Sequence, residues 1–228
     1  MFKNLLNFWK GKDFLSSVLK EFETMMVDAE DMFKSVREKL IEGKPEAELR
    51  DKIYAVDRKI NELEKSIRTR IVEHLALQPS VDITVCLVLM SVTKDAERLG
   101  DYAKNLFEVS ELLAEPLDEE LFRSYFDEAD RKLISLAEKT RSAFIKSDEE
   151  LARQIQGLER EIVLKCEKAI KKLAQGNLSS NLSVCLTLIA RYFKRTAAHL
   201  VNIGTSVILP VNELDFYDEN ERHKNIKE

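Results

Sequence analysis

The stretch VCLVLMSVTKDAERLGDYAKNL, residues 85–106, decides the fold. Its apolar residues recur at alternating steps of three and four, which places them on one face of a helix packed in a bundle. They are Val85, Leu89, Val92, Ala96, Leu99, Ala103 and Leu106. The stretch begins more apolar than it ends, as expected for the most buried helix of a bundle. The pattern therefore predicts a long core helix.

Five further segments carry the same alternation of three- and four-residue steps, and each is predicted to be a helix. Their apolar stripes run from Leu15 to Val36, Ile53 to Ile67, Phe122 to Ala143, Leu151 to Leu173 and Leu182 to Ile203. Glycine or proline marks breaks at Gly43, Pro45, Pro79, Pro116 and Gly176. Ser147 and Glu150 have capping-box spacing, which predicts the start of the fifth helix. Connections this short make neighbouring helices antiparallel.

The second half of the chain repeats the first. An offset of 97 residues places Gln78, Arg98 and Asn105 over the same residue types in the second half. The sequence therefore predicts an all-α protein built from two tandem antiparallel three-helix bundles, a six-helix array. We expect an amphipathic N-terminal segment at 1–12, a first bundle at 13–114, a second bundle at 115–209 and a flexible tail at 210–228.

The composition of the chain is typical of long helices with few connections. Only 6 glycines and 4 prolines occur among 228 residues, and 34% of the residues are charged. The formal net charge of −5 argues against nucleic-acid binding, which needs many cations on one face. There is no nucleophile context, no glycine-rich phosphate loop and no Glu-x-x-His motif of a di-iron bundle. We therefore expect a protein that is not an enzyme.

The expected location is the cytoplasm. The chain has an odd number of cysteines, Cys86, Cys166 and Cys185, and they lack metal-ligand spacing, which favours reduced thiols. No stretch reaches the roughly 18 apolar residues that span a bilayer. The N-terminal segment also lacks the long apolar core and the cleavage site of a signal peptide.

Residues 1–11 contain a basic amphipathic pattern. One helical face is apolar, formed by Phe2, Leu5, Leu6 and Trp9, with Lys3 and Lys10 nearby. A segment of this kind rests at a membrane surface, or it packs back on its own bundle or on a partner chain. The sequence leaves these alternatives open.

A pair of acidic residues is the main candidate for chemistry. Glu97 and Asp101 are four residues apart, so their carboxylates stack on one face of the predicted helix. They lie roughly 140 to 180° from the middle of its apolar stripe, which predicts that they point out of the bundle. Oxygen ligands in an open surface geometry suit a metal such as Mg, Mn or Fe. A solvated acidic face explains the same spacing, and the spacing alone does not decide between the two.

Residues 97–105, ERLGDYAKN, resemble the E-R-[IL]-G-D-x-A-x-N signature that closes the third helix of PhoU proteins. The second copy, KRTAAHLVN at 194–202, falls where that family repeats its signature. The resemblance covers residues 13 to 208. It implies a cytosolic regulator of phosphate uptake that contacts a membrane phosphate transporter, a sensor kinase or both. It also implies surface metal clusters, of Fe, Mn, Zn or Mg, held by E/D-x-x-x-D pairs.

The resemblance assigns a metal-ligand role to Glu97 and Asp101. In the second copy Lys194 and Ala198 stand at the corresponding positions, so we expect no metal there. His199 is either a further ligand or a partly exposed, hydrogen-bonded histidine. A helical adaptor without metal and without a link to phosphate remains the alternative function. The sequence leaves open which transporter or kinase is the partner and whether the chain forms a homodimer.

Overall fold

The computed structural model describes residues 13–42, 48–78 and 82–215, and these ranges contain helices and no strand. The helices are α1 (Asp13–Glu42), α2 (Leu49–Leu77), α3 (Ile83–Leu112), α4 (Glu119–Phe126), α5 (Ala129–Lys146), α6 (Glu149–Gln175), α7 (Ser180–Thr205) and a 3-10 turn (Val211–Glu213). The amphipathic segment 1–12 and tail residues 216–228 lie outside the described residues.

The helices form two bundles that lie side by side. Helices α1, α2 and α3 pack on one another, and α5, α6 and α7 do the same with the short α4 against α6. Across the seam between the bundles, α1 packs on α5 and α3 packs on α7. The predicted all-α architecture of two tandem three-helix bundles is confirmed.

The predicted apolar stripes form the core. All seven stripe residues of α3 are buried, and so is the stripe of α1, in which Val18, Phe22 and Met25 are completely enclosed. The three cysteines are free and buried, as small apolar side chains commonly are. Burying these stripes is the main stabilising contribution, since a fully buried Leu, Ile or Phe side chain contributes about 1.5–3 kcal/mol.

The fourth segment differs from its prediction, because it forms two helices. Asp118 caps α4 by accepting a hydrogen bond from the backbone of Leu121 at 2.7 Å. Asp127 then adopts φ 52°, ψ −118°, which ends α4 before α5 begins. Arg123 stabilises the backbone at this break, because its guanidinium donates a hydrogen bond to the Asp127 carbonyl at 2.7 Å. The apolar stripe continues through the break, so the stripe alone did not predict it.

The N-terminal cap predicted for the fifth segment, which forms α6, is wrong by one residue. Ser147 closes α5 in a left-handed conformation, with φ 52° and ψ 44°. The side chain that caps α6 is Asp148, which accepts a hydrogen bond from the backbone of Leu151 at 3.0 Å. Asp and Ser are almost equally good caps, and so the SDEE sequence does not fix the register.

A buried ion triad joins the two bundles on the α1–α5 side. Asp130, at the start of α5, is 0% exposed. Its Oδ2 accepts from Arg37 Nε of α1 at 2.6 Å, and its Oδ1 accepts from Arg123 Nη1 at 2.5 Å. A more exposed ion pair, between Lys34 and Glu138, lies on the same seam at 3.4 Å.

Four phenylalanines fill the seam near this triad. Phe193 of α7 lies 5.8 Å from Phe33 of α1, measured between ring centroids. It also lies 5.8 Å from Phe126 and 6.4 Å from Phe122, both in α4. We call these four side chains the aromatic cluster. It buries apolar surface from both bundles at one point.

The α3–α7 contact has approximate twofold symmetry. Asp95 of α3 meets His199 of α7, with Oδ1 and Nδ1 2.7 Å apart. Tyr102 meets Tyr192, with ring centroids 5.9 Å apart. The offset of 97 converts one pair into the other, since Asp95 corresponds to Tyr192 and Tyr102 to His199. The two helices therefore run antiparallel about an axis between the repeats.

Candidate functional site

The carboxylates of Glu97 and Asp101 lie in the groove between α2 and α3. Their side chains are 14% and 22% exposed, so they lie outside the buried core but are partly covered by the neighbouring helix. Gly100 explains the close approach of α2, because a Cβ atom there would lie 2.9 Å from Ile60 Cδ1. The same approach brings Glu64 of α2 near Glu97.

Cations of the chain occupy both oxygens of Asp101. Arg98 Nη1 donates to Oδ2 at 2.6 Å, and Lys104 Nζ donates to Oδ1 at 3.1 Å. Lys104 also donates to Asp57 Oδ1 of α2 at 2.8 Å, so it ties the two helices together. Burial lowers the pKa of Lys104, but the bonds to Asp57 and Asp101 outweigh it and leave the pKa above its usual value. Lys104 is therefore charged in the folded protein.

The carboxyl of Glu97 has a raised pKa. Burial raises its pKa to about 7, and the negative charge of Asp101 acts in the same direction. Arg98 opposes the shift, but its Nε lies 3.5 Å from Glu97 Oε2 and its side chain is largely exposed. Glu64 and a hydrogen bond with Asp101 raise the pKa further. The groove thus holds one carboxyl that changes its charge near neutral pH.

His199 lies outside this groove, on the α3–α7 seam. Its Nδ1 is bonded to the buried Asp95, and its ring stacks on Tyr102 with centroids 5.6 Å apart. The structure agrees with the hydrogen-bonded histidine, one of the two roles left open by the sequence. The pair of His199 and Asp95 and the groove that contains Glu97 and Asp101 therefore lie on different sides of α3.

The comparisons with known proteins place this architecture in one family. The PhoU domain model matches residues 22–110 and 126–207, so each bundle carries one match. The chain belongs to the PhoU family. The resemblance based on the 97–105 signature is confirmed.

Individual PhoU relatives are similar over most of the chain. The phosphate-specific transport system accessory protein PhoU homolog 1 of Thermotoga maritima is 24% identical over 164 residues, which cover 69% of this chain and 70% of that protein. An uncharacterised protein of Deinococcus radiodurans is 26% identical over 160 residues, 68% of this chain and 71% of that protein.

Two crystal structures share the PhoU fold. The match to PhoU from Pseudomonas aeruginosa has a TM-score of 0.74 at 20% identity and covers 86% of this chain and 95% of that one. The match to the phosphate transport system regulatory protein PhoU from Streptococcus pneumoniae has a TM-score of 0.71 at 19% identity and covers 91% and 95%. At these identities the likeness establishes the fold alone.

The groove of this PhoU-family chain does not fit a metal ion as the side chains stand. Among the described residues, no group of three or more His, Cys, Asp or Glu side chains is arranged to hold one. Arg98 and Lys104 already neutralise Asp101, and a bound cation would be repelled by both. The metal ion at Glu97 and Asp101 remains a prediction of the sequence.

The second bundle has a different pair at the corresponding position. Lys194 Nζ bonds Glu167 Oε1 of α6 at 2.7 Å. Ala198 adds no oxygen. The expectation that this position binds no metal also remains a prediction.

Three residues of the groove between α2 and α3 were not identified from the sequence: Asp57, Glu64 and Lys104. Lys104 lies inside the signature itself, at a position where the pattern allows any residue. Asp57 and Glu64 are seven residues apart, which puts them on one face of α2. The spacing can be read from the sequence, but it does not indicate which face of α3 these two side chains contact.

Replacing Glu97 with glutamine should stabilise the protein at high pH. The folded-state pKa, about 7, lies above the ordinary value of 4.5, so stability from this group is full below 4.5 and is lost as pH rises through 7. Glutamine mimics the neutral carboxyl and escapes this loss. We expect the gain in unfolding free energy to be roughly 1–3 kcal/mol larger at pH 8 than at pH 5. Urea denaturation at both pH values measures it, and an equal effect at both would contradict the prediction.

Proposed function

We propose that this chain regulates phosphate transport and phosphate-starvation signalling by binding other proteins, without catalysing a reaction. The PhoU family match over both bundles carries the proposal. The names of two relatives support it, since they describe a phosphate-specific transport accessory protein and a phosphate transport regulatory protein. The proposed partners are a membrane phosphate transporter, a sensor kinase or both, reached from the cytoplasm.

One end of the first bundle is the proposed contact surface. Four large apolar side chains are exposed in the last two turns of α2 and the first two of α3, and we call them the apolar end: Val72, Leu77, Ile83 and Leu87. None of the helices in the described ranges is long and apolar enough to cross a membrane. Contiguous exposed apolar patches are typical of protein or membrane contact surfaces, and we propose that these four side chains form one.

The start of α1 lies at the same end. The Phe14 ring stacks on His74 near the end of α2, with centroids 4.2 Å apart. Phe14, which follows the segment 1–12 in the sequence, therefore lies near the apolar end. We propose that this segment and the apolar end face the membrane surface next to the transporter, with the segment supplying the basic amphipathic contact.

Complementation of a deletion strain tests the regulatory role. Cells lacking the gene should express phosphate-starvation genes in phosphate-rich medium, and the intact chain should restore repression. Unchanged expression and phosphate uptake in the deletion strain would instead favour the helical adaptor unrelated to phosphate.

Capture from membranes tests the contact surface. The tagged chain should retain a phosphate transporter or sensor kinase, identified by mass spectrometry. Leu77→Ser/Leu87→Ser should weaken capture at least about tenfold, since a single buried anchor residue already contributes about 1–2 kcal/mol to an interface. Leu164→Ser/Val184→Ser is the matched control, because these exposed apolar residues lie on the second bundle. Equal loss in both double variants would contradict the assignment of the apolar end.

Sedimentation with liposomes tests the membrane contact separately. A variant that lacks residues 1–11 and sediments with liposomes as well as the intact chain would contradict this contact.

A further inference from the structure

The groove between the middle and last helix of each bundle is bridged by a lysine. In the first bundle Lys104 of α3 reaches Asp57 of α2 at 2.8 Å. In the second bundle Lys194 of α7 reaches Glu167 of α6 at 2.7 Å. The two lysines are not at equivalent positions of the repeat, since Lys194 corresponds to Glu97. Each bundle therefore has a lysine–carboxylate pair across this groove, formed at different positions of the repeat.

The first groove holds four carboxylates and supplies its own cations. Three of the carboxylates have close basic partners: Asp57 with Lys104, Asp101 with Arg98 and Lys104, and Glu64 with Arg68 at 2.9 Å. Only Glu97 lacks a cation closer than 3.5 Å. Four acidic side chains this close repel one another unless positive charge lies between them. Here that charge belongs to the chain.

Lys104 is the cation that holds this position most firmly. Its side chain is 19% exposed, against 46% for Arg98, which can turn into solvent. Lys104 also bonds two carboxylates on two helices, so moving it would leave Asp57 without its partner in a mostly buried place. A metal ion entering the groove would have to displace this ammonium group.

We propose that lysine ammonium groups of the chain take the place of metal ions in both grooves, Lys104 in the first bundle and Lys194 in the second. Positive side chains of the protein itself then balance the negative charge of the carboxylates that the sequence predicted as metal ligands. Once Lys104 is removed, we expect the carboxylates of the first groove to rearrange around a divalent cation. We expect no such binding in the second groove, because Ala198 stands in the place of Asp101.

Binding of Mn²⁺ tests the proposal. Lys104→Met removes the charge, keeps the length of the side chain and adds no oxygen ligand. Lys194→Met is the matched control, because it removes the same charge from the groove that lacks the second carboxylate. Free Mn²⁺ is followed by its paramagnetic resonance signal during titration of the intact chain and of each variant. Circular dichroism establishes that each variant is folded.

The proposal expects Mn²⁺ to bind Lys104→Met at least about tenfold more tightly than the wild type, since a unit charge within about 5 Å of the ion is removed. Lys194→Met should bind like the wild type. Adding Asp101→Asn to Lys104→Met should abolish the gain. If methionine does not fold at this half-buried position, Lys104→Gln takes its place.

The wild-type protein gives the decisive contrary result. One metal ion per chain after loading with Fe, Mn or Zn, lost in Glu97→Ala/Asp101→Ala, would overturn the proposal and confirm the metal site predicted by the sequence. Equal Mn²⁺ affinity of the wild type and a folded Lys104 variant would also overturn it. Neither result depends on the phosphate-signalling role, which is tested separately in cells.

Discussion

Replacing Asp130 with alanine is expected to lower the free energy of unfolding by about 3–5 kcal/mol. The carboxylate is completely buried and accepts hydrogen bonds from Arg37 and Arg123. Its loss would remove the carboxylate that lies between the two guanidinium groups and leave them to repel each other across the seam. Arg123 also closes the break after α4 through the Asp127 carbonyl, so the damage should extend to the start of the second bundle.

Urea denaturation followed by circular dichroism measures the effect of Asp130→Ala. Glu138→Ala is the matched control, because it removes a carboxylate from the same seam in an exposed pair. Exposed ion pairs contribute at most about 1 kcal/mol, so the control should change little. Similar small changes in both variants would show that the triad does not join the bundles.

Truncating Phe193 to alanine is expected to lower the free energy of unfolding by about 3–5 kcal/mol. The side chain is almost fully buried in the aromatic cluster, against Phe33 of the first bundle and two rings of α4. The cavity left behind would be lined by three rigid rings from two helices, α1 and α4, which cannot easily collapse into it.

The change in Phe193→Ala is measured by the same denaturation experiment. Phe193→Leu keeps most of the volume and should cost clearly less, because volume-conserving apolar changes are better tolerated. Phe144 offers a second comparison, since it is buried against Phe22 of α1 elsewhere on the seam, with ring centroids 4.7 Å apart. A cost below about 1 kcal/mol for Phe193→Ala would mean that the cluster does not contribute to the seam.

The helices and their buried faces were predictable because the 3.6-residue period is a property of the chain itself. The stripe from Val85 to Leu106 gave both the helix and its buried side. The break at Asp127 was not predictable from that period, since the apolar spacing continues across it. Arg123 stabilises the break by bonding both the Asp127 carbonyl and the side chain of Asp130, and these contacts leave no apolar pattern in the sequence.

The candidate site was predictable only in part. The signature led to Glu97 and Asp101, and the angle on an isolated helix placed them outside the core without showing that α2 partly covers them. That angle cannot include the neighbouring helix, whose distance is set by the missing side chain of Gly100. The partners Asp57 and Lys104 come from two helices and depend on their register. The spacing of residues in one sequence predicts which of them share a helix face. It does not predict which ion pairs form between helices, because these depend on how the helices pack.

The antiparallel contact of α3 and α7 has a consequence for how the halves stay together. Residues 113–118 are the covalent connection between α3 and α4, yet the bundles also share two helix pairs, a buried triad and the aromatic cluster. A proteolytic cut in that connection should leave a noncovalent heterodimer of fragments. In assembly terms, the molecule has the arrangement of a dimer whose two subunits are joined by one short connection.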